Sequence, residues 1–303
     1  MGSAEMGMLI DIFRGSLRDG PGIRTTVFLK GCPLRCMWCH NPESWSKEKQ
    51  LGYFSERCVN CLSCTRVCPN GVHTAINGEH QVHYELCRSC GKCIDACNYD
   101  ALKLYGYLQD CETVFQEVMR DIDFYDNEGG LTVSGGEPLL QTDFTLSLLK
   151  KCKDKGINTC IETCGYSSRS NFDKVLKYVD LFLFDYKETI SSAHKKFTGA
   201  PNEGILDNLD YIYKKGAQII LRCPIIPGVN DQKEHFEGIA RMNKKYPNLR
   251  GIEIIAYHNM GVSKGIGIGV DMKLKNLANT DEKQKADWIS CLKGLGCEKA
   301  KLG

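Results

Sequence analysis

Residues 31 to 43 read GCPLRCMWCHNPE. Cys32, Cys36 and Cys39 are spaced C-x3-C-x2-C and follow directly on TTVFLKG, residues 25 to 31. That apolar, β-branched run closed by glycine is the pattern of a buried strand, so the three cysteines belong to the loop after a strand. Three thiolates on a four-iron cubane leave one iron without a protein ligand. A metal with a free position is equipped for chemistry, which is what separates open catalytic sites from closed structural ones. A three-cysteine zinc site completed by His40 is the competing reading.

The pattern continues outward from this strand. Further strands are expected at 131 to 136, 158 to 165, 181 to 187, 218 to 228 and 251 to 258, with helical stretches at 111 to 125, 142 to 156, 170 to 179, 203 to 216 and 231 to 246. Strands alternating with helices of this length make βαβ units and a parallel sheet. Six units predict an α/β fold, a partial (β/α)6 barrel of TIM type; a doubly wound open sheet is the alternative. Polar residues stand at the carboxyl ends of these strands, where side chains reach a shared pocket. They are Gly135, Gly136, Glu137 and Pro138 in SGGEP, Glu162 and Thr163, Asp185 and Lys187, Arg222, and His258. Each has a bland reading beside the functional one. Gly-Gly can be turn geometry, Glu162 a salt-bridge partner, Lys187 a snorkelling lysine, Arg222 the mate of a core carboxylate, and His258 a satisfied core histidine.

Residues 54 to 105 break the rhythm with eight cysteines and an internal repeat. Cys58, Cys61, Cys64 and Cys68, followed by Pro69, read C-x2-C-x2-C-x3-C-P, and Cys87, Cys90, Cys93 and Cys97 repeat the spacing, with Asn98 where proline would be usual. This is the bacterial ferredoxin spacing, in which the fourth cysteine of each run crosses to the other cluster. It predicts one [4Fe-4S] cluster on Cys58, Cys61, Cys64 and Cys97 and a second on Cys68, Cys87, Cys90 and Cys93; a pair of zinc sites is the alternative. The expected organisation is barrel over 1–53, a ferredoxin-like insert over 54–105, and barrel again over 106–303.

The 303 residues carry 18 cysteines and a formal net charge of +2, so nothing in the charge draws nucleic acid or an acidic membrane. Bunched cysteines in a long chain favour metal ligation over disulfides. No apolar run is long enough to span a membrane, and MGSAEMGMLIDIF lacks the blocks of a signal peptide, so a soluble, cytoplasmic protein is expected. MGSAEM reads as partly an expression scar. There is no H-E-x-x-H pair, which argues against a zinc-dependent hydrolase.

The cage spacing resembles the signature of radical S-adenosylmethionine enzymes, and RDGPGIRTTVFLKGCPLRCMWCHNPE, residues 18 to 43, resembles the glycyl radical enzyme activating enzymes in particular. DGPGIR, the cage, the insert, SGGEP, DYK, the arginine strand and YH occur in the family's order. The resemblance implies that the open iron chelates S-adenosylmethionine, and that one electron yields methionine and a 5'-deoxyadenosyl radical. This radical takes a Cα hydrogen from a glycine of a partner glycyl radical enzyme. Three [4Fe-4S] clusters are implied, the two auxiliary ones able to deliver the electron from a flavodoxin or ferredoxin.

By the same resemblance, Glu137, Lys187 and His258 grip the methionyl part, with His40, Arg222 and the SGGEP backbone around it. Trp38 lies near the adenine or simply packs. Glu162, Thr163 and Asp185 surround a monovalent cation, although Glu162 stands where relatives carry aspartate. Asp19, Gly20, Pro21, Gly22 and Arg24 hold the partner's glycine loop. A monomer is expected. Activases of pyruvate formate-lyase typically lack the insert, which points to a dehydratase, decarboxylase or carbon-heteroatom lyase as partner. GVSKGIGIGV, residues 261 to 270, departs from the more basic loop expected after the last strand. A radical enzyme with another substrate, or a ferredoxin-type electron carrier, are the alternatives.

Overall fold

TTVFLK favours a strand covered on both faces, because β-branched and aromatic side chains fall on both of its sides. In the computed structural model, which describes residues 5–303, that strand is central. The first four residues of the MGSAEM segment lie outside the described ones. In chain order the elements are β1 (Met6–Ser16), β2 (Arg24–Leu29), β3 (Gln50–Tyr53), α1 (Ser63–Val67), β4 (His73–Ile76), β5 (Glu79–Val82), α2 (Lys92–Asp95), β6 (Leu102–Tyr105), β7 (Tyr107–Asp110) and α3 (Cys111–Met119). They continue with β8 (Gly130–Gly135), α4 (Thr142–Asp154), β9 (Asn158–Thr163), α5 (Arg169–Val175), β10 (Leu181–Asp185), α6 (Ser191–Thr198) and α7 (Glu203–Lys214). The chain ends with β11 (Ile219–Ile225), α8 (Lys233–Lys245), β12 (Gly251–Ala256), α9 (Met260–Gly267), α10 (Glu282–Gly294) and β13 (Ala300–Leu302).

The main sheet runs β13-β12-β11-β10-β9-β8-β2-β1-β7. From β2 to β12 the six strands anticipated from sequence are parallel and stand in chain order, with no reversal. A doubly wound sheet reverses its order at a switch point, and a barrel does not. The fold is therefore an α/β partial barrel. Its ends are finished by elements the sequence reading did not pick out: β1 antiparallel to β2, β7 antiparallel to β1, and β13 parallel to β12.

Leu9, Val27, Leu29, Leu131, Val133, Ile161, Phe182, Phe184, Leu221 and Ile252 are buried between the sheet and its helices. The opposite face, toward the barrel axis, holds a smaller apolar cluster of Cys160, Leu181, Leu183 and Ile220. The expected helix over 111 to 125 stops at Met119 and resumes as a single 3-10 turn at Ile122–Phe124. There Asp121 turns inward, accepting from Thr25 Oγ1 at 2.5 Å and pairing with Arg14. Likewise the helix over 170 to 179 ends at Val175 and tightens to a 3-10 turn.

Residues between β3 and β6 leave the barrel and return to it, because those two strands pair antiparallel, Gln50 opposite Tyr105 and Tyr53 opposite Leu102. Between them lie the hairpin of β4 and β5 and the two single-turn helices α1 and α2.

Candidate active site

The cage loop leaves β2 through Lys30 and Gly31 and is pinned by its backbone. Gly31 N donates to Ser44 O at 2.6 Å, Cys32 N to Trp45 O at 3.2 Å, Arg35 N to Thr198 O at 2.7 Å and Met37 N to Phe197 O at 2.9 Å. Cys36 and Trp38 are buried in an apolar cluster with Leu34, Cys164, Ala200, Ile226 and Tyr257, against which Cys32 and Cys39 also pack. The Trp38 indole packs on Phe197, ring centres 6.3 Å apart. Burial pushes the Cys36 thiol up to about 11 and the Cys39 thiol up to about 12, while contact with the Cys164 thiol brings Cys32 down. Buried thiols of this kind ionise when a cationic centre takes them as ligands, releasing protons as it loads.

Gly135 and Gly136 are fixed by close approach. A Cβ on Gly136 would stand 2.1 Å from Gly31 O, and one on Gly135, at φ +106°, 2.4 Å from Leu29 N and O. The pair lets β8 run against the stem of the cage. Glu137 is fully buried and accepts from Leu139 N at 3.1 Å, Thr163 Oγ1 at 2.9 Å and Cys164 N at 2.9 Å. Its carboxylate thus ties the end of β8 to the end of β9, and burial raises its pKa despite these donors. Pro138 opens the 3-10 turn that leads into α4.

The next strand ends form an ionic chain inside the barrel. Ser134 Oγ donates to Glu162 at 2.5 Å, Arg222 Nη1 meets Glu162 at 2.6 Å, and Arg222 Nε lies 3.7 Å from Glu253. Lys187 pairs with Asp185 at 2.7 Å. Burial opposes the Lys187 charge, yet Asp185, with Cys36 and Cys164 nearby, holds its pKa well above the usual lysine value. His40 and His258 stack with ring centres 3.7 Å apart, and burial holds His40 neutral at about 3. His258 Nδ1 is buried without a partner among the described residues. The cage, Glu137, Lys187 and the histidine pair therefore share one end of the barrel, with Glu162 and Arg222 deeper along its axis.

DGPGIR lies at the opposite end of β2. Asp19 accepts from Ser16 Oγ at 2.6 Å and Thr26 Oγ1 at 2.8 Å. Gly22, at φ +71°, has no room for a Cβ, which would meet Gly129 N at 2.4 Å. Pro21 sits between these two glycines, and Gly20 is at φ +120°. Arg24 is fully buried and spends its donors on Thr132 Oγ1, Pro21 O, Glu128 O and Leu131 O. It holds the turn from beneath and offers no free donor to an incoming chain.

Two groups escaped the sequence reading. Cys164 lies against both Cys32 and Glu137, and only the apolar neighbourhood of ETCG hinted at it. The segment GVSKGIGIGV, read as a loop, is largely helical, forming α9. Its glycines replace side chains where the helix touches backbone: a Cβ on Gly261 would be 2.1 Å from Cys39 O, and one on Gly267 3.0 Å from Tyr53 O. Lys264 then reaches Asn41 Oδ1 at 2.9 Å and Glu43 at 3.0 Å, clamping the end of the cage loop.

In the insert, Cys58, Cys61, Cys64 and Cys97 line one cavity, and Cys68, Cys87, Cys90 and Cys93 a second. The two cysteine loops repeat a strained backbone. Asn60 and Ser89 precede the second cysteine at φ 55° and 52°, and Leu62 and Gly91 follow it at φ 57° and 83°. Left-handed residues outside glycine are costly and gather where a loop must curl around something. Ser89 N already points at Cys87 Sγ, 3.3 Å away. Four thiols per cavity and turned-in amides fit an iron-sulfur cluster, and the three-thiol cage fits one with an open corner.

A sequence profile described as a 4Fe-4S single cluster domain matches residues 18–206. The choline trimethylamine-lyase activating enzyme of Oleidesulfovibrio alaskensis is 39% identical over 264 residues, 85% of each chain. The chain belongs to the glycyl radical enzyme activating enzymes. The trans-4-hydroxy-L-proline dehydratase activating enzyme of Clostridioides difficile is 40% identical over 263 residues, 85% of this chain and 86% of the relative. The indoleacetate decarboxylase activating enzyme of Tractidigestivibacter scatoligenes is 38% identical over 290 residues, 91% of each. A fold likeness extends to Streptococcus suis SuiB bound to its precursor peptide SuiA, with a TM-score of 0.53 at 12% identity over 89% of this chain and 45% of that one. As a glycyl radical enzyme activating enzyme, this protein is a radical S-adenosylmethionine enzyme that installs a glycyl radical in a partner, and the electron-carrier alternative is set aside. No helix among the described residues is long and apolar enough to cross a membrane.

Proposed function

We propose that this activating enzyme splits S-adenosylmethionine at a [4Fe-4S] cluster on Cys32, Cys36 and Cys39 and delivers the radical to a glycine of a dehydratase, decarboxylase or carbon-heteroatom lyase. The observation that carries this reading is the cage: three thiols on one backbone-pinned loop, Cys36 buried and Cys32 and Cys39 partly so, at the barrel end where Glu137, Lys187 and the His40–His258 pair converge. When bound, the cluster supplies the low-potential electron that cleaves the sulfonium.

The chain's own residues position and shield. Lys187, held cationic by Asp185, would balance the thiolates and meet the carboxylate of the methionyl group. The unpartnered Nδ1 of His258, backed by neutral His40, is placed to bond a polar group of the cofactor. Glu137 would act chiefly by holding Thr163 and the Cys164 amide in place. Glu162, Thr163 and Asp185 would share a monovalent cation. The apolar cluster around Leu34, Trp38 and Tyr257 would keep water and stray hydrogen donors from the radical, with Trp38 near the adenine. Glycine-bearing turn Asp19–Gly22, braced by Arg24, is the proposed rest for the partner's glycine loop.

The insert would carry two auxiliary [4Fe-4S] clusters and pass electrons from a flavodoxin or ferredoxin, in a cytoplasmic, monomeric protein. The relatives that match over most of their length act with a lyase, a dehydratase and a decarboxylase by name, which supports a partner of that kind. The test mixes the reduced, anaerobic protein with S-adenosylmethionine and each candidate glycyl radical enzyme. A glycyl signal in electron paramagnetic resonance, matched by release of 5'-deoxyadenosine, is expected with one of them. Absence of S-adenosylmethionine cleavage by protein loaded with all its iron would refute the proposal.

A further inference from the structure

The hairpin of β4 and β5 lies in the insert and carries two histidines that the proposed reaction does not use. His73 is 4% and His80 5% exposed, and His73 Nδ1 and His80 Nε2 are hydrogen bonded at 2.9 Å. His80 lines the cavity of Cys58, Cys61, Cys64 and Cys97; His73 lines the cavity of Cys68, Cys87, Cys90 and Cys93. His80 Nδ1 is 3.8 Å from Cys58 Sγ, and its Nε2 is 3.5 Å from Cys64 Sγ. The second nitrogen of His73, Nε2, is buried without a partner among the described residues. Tyr53 stands edge-on to the His80 ring, ring centres 4.7 Å apart, and Asn60 Oδ1 accepts from the backbone His80 N at 3.0 Å, anchoring the main chain that carries it.

We propose that His80 and His73 form a hydrogen-bonded bridge between the two auxiliary clusters, with His80 Nε2 accepting from His73 Nδ1–H and His80 Nδ1–H donating to the Cys58 thiolate. It thereby makes that cluster the more readily reduced of the two. This rests on the reading of the insert as a two-cluster domain. Hydrogen bonds to ligand sulfurs and outer-sphere partners tune cluster potential, because a donor stabilises the extra negative charge of the reduced state. A ferredoxin-type loop meets its sulfurs with backbone amides. Here a pair of buried side chains adds a donor at one cluster and links that shell to the wall of the other. At 2.9 Å the contact is one N–H shared between two rings.

Cys64, His73 and His80 also bring their ligand atoms within 4.8 Å of one another, the spacing of a small metal site. A separate ion is disfavoured on two grounds. Cys64 is claimed by the cluster set, and two nitrogens sharing one tetrahedral zinc at about 2.0 Å would stand roughly 3.3 Å apart, beyond the hydrogen-bonded 2.9 Å found here. His80 and His73 are thus positioning residues, acting on the clusters through the thiolates.

The test is an anaerobic redox titration of the reconstituted full chain, followed by electron paramagnetic resonance, in wild type, His80→Phe, His80→Asn and His73→Phe, with iron, sulfide and zinc counted in each. In His80→Phe the midpoint of one auxiliary cluster is expected to fall while iron and sulfide stay unchanged. His80→Asn, which regains an N–H, is expected to recover part of the shift, and His73→Phe to give a smaller shift of the same sign. Unmoved midpoints in His80→Phe overturn the bridge, as does an equal shift in the Phe and Asn variants, which would mark a packing effect. Loss of a cluster's iron in both His80 variants would make His80 a ligand and also overturns it. Stoichiometric zinc that disappears in His73→Phe would replace the bridge by a metal site. Failure of the underlying two-cluster reading looks different: wild-type protein would itself bind iron for a single cubane.

Discussion

Arg222→Met tests whether the barrel interior is held by a compensated charge chain. Arg222 has a side chain 9% exposed, lies 2.6 Å from Glu162 and 3.7 Å from Glu253, and has Asp185 among its charged neighbours. Methionine keeps most of the volume and removes the cation, leaving these carboxylates facing one another. Breaking a buried pair by removing one partner costs about 3–5 kcal/mol, and Glu162, at 23% exposure, regains some water, so about 3 kcal/mol is expected. With an unfolding entropy of about 2.1 cal/mol/K per residue over 303 residues, that is a fall in Tm of about 5 °C by anaerobic calorimetry. Glu162→Gln in the same background removes one of the uncompensated charges and should return about 1–2 kcal/mol, or 2–3 °C. Because the chain also shapes the cofactor end, S-adenosylmethionine cleavage should fall at least tenfold in Arg222→Met and stay low in the double variant. Single and double effects that add to within about 0.5 kcal/mol would refute the coupling, whatever happens to activity.

Cys36→Ala should abolish S-adenosylmethionine cleavage and lower bound iron by a third, leaving the auxiliary signals in place; full activity would mean that the cage is misassigned. Gly261→Ala drives a methyl group into Cys39 O, at 2.1 Å before any adjustment, so it should cost about 2–3 kcal/mol and reduce cage iron in elemental analysis, with the insert's iron unchanged. Burial lowers Lys30 to about 8, against 10.5 for a free lysine. Between those values the unfolded chain holds a proton that the folded chain has released, so wild-type stability rises with pH across that window. Denaturant titrations of Lys30→Met should show a flatter profile there, and an unchanged slope would place the depressed lysine elsewhere.

What the sequence disclosed follows from how local its signals are. The six parallel strands are continuous apolar runs because each is covered on both sides, and that demand is visible residue by residue in TTVFLK or LFLFD. Cysteine spacing is equally local, since a loop that chelates with its own residues writes the geometry into consecutive positions. Strand β1, flanked by β7 only over Met6 to Leu9, was harder. Its burial pattern alternates only over its first half, and Phe13 is 54% exposed, so it carries the weak periodicity of a strand with one solvated face. Arg24 shows a different limit. As part of DGPGIR it resembles a surface recognition motif, yet its acceptors are carbonyls at Glu128 and Leu131, about a hundred residues away, and only the fold reveals that its donors are taken.

The same reasoning explains why α9 was misread and why it matters to the site. A helix containing Gly261, Gly265 and Gly267 gives up roughly 1 kcal/mol per glycine relative to alanine, so propensity alone argues for a loop. Something outside the segment must offset that cost. The contacts identify it: Gly261 lies on the Cys39 carbonyl, Gly265 on Met272 and Gly267 on the Tyr53 carbonyl, so the glycine face spans from the cage to the neck of the insert. An ordinary side chain at either backbone contact would hold the helix off and free the end of the loop that carries Cys39. Helix α9 therefore couples the position of the third cage thiol to the seating of the strand pair β3–β6, through which the insert joins the barrel. Two further links run beside it, the backbone of residues 40 to 49 and Lys30 Nζ, which donates from the stem of the cage to Gln50 Oε1 on β3 at 3.0 Å.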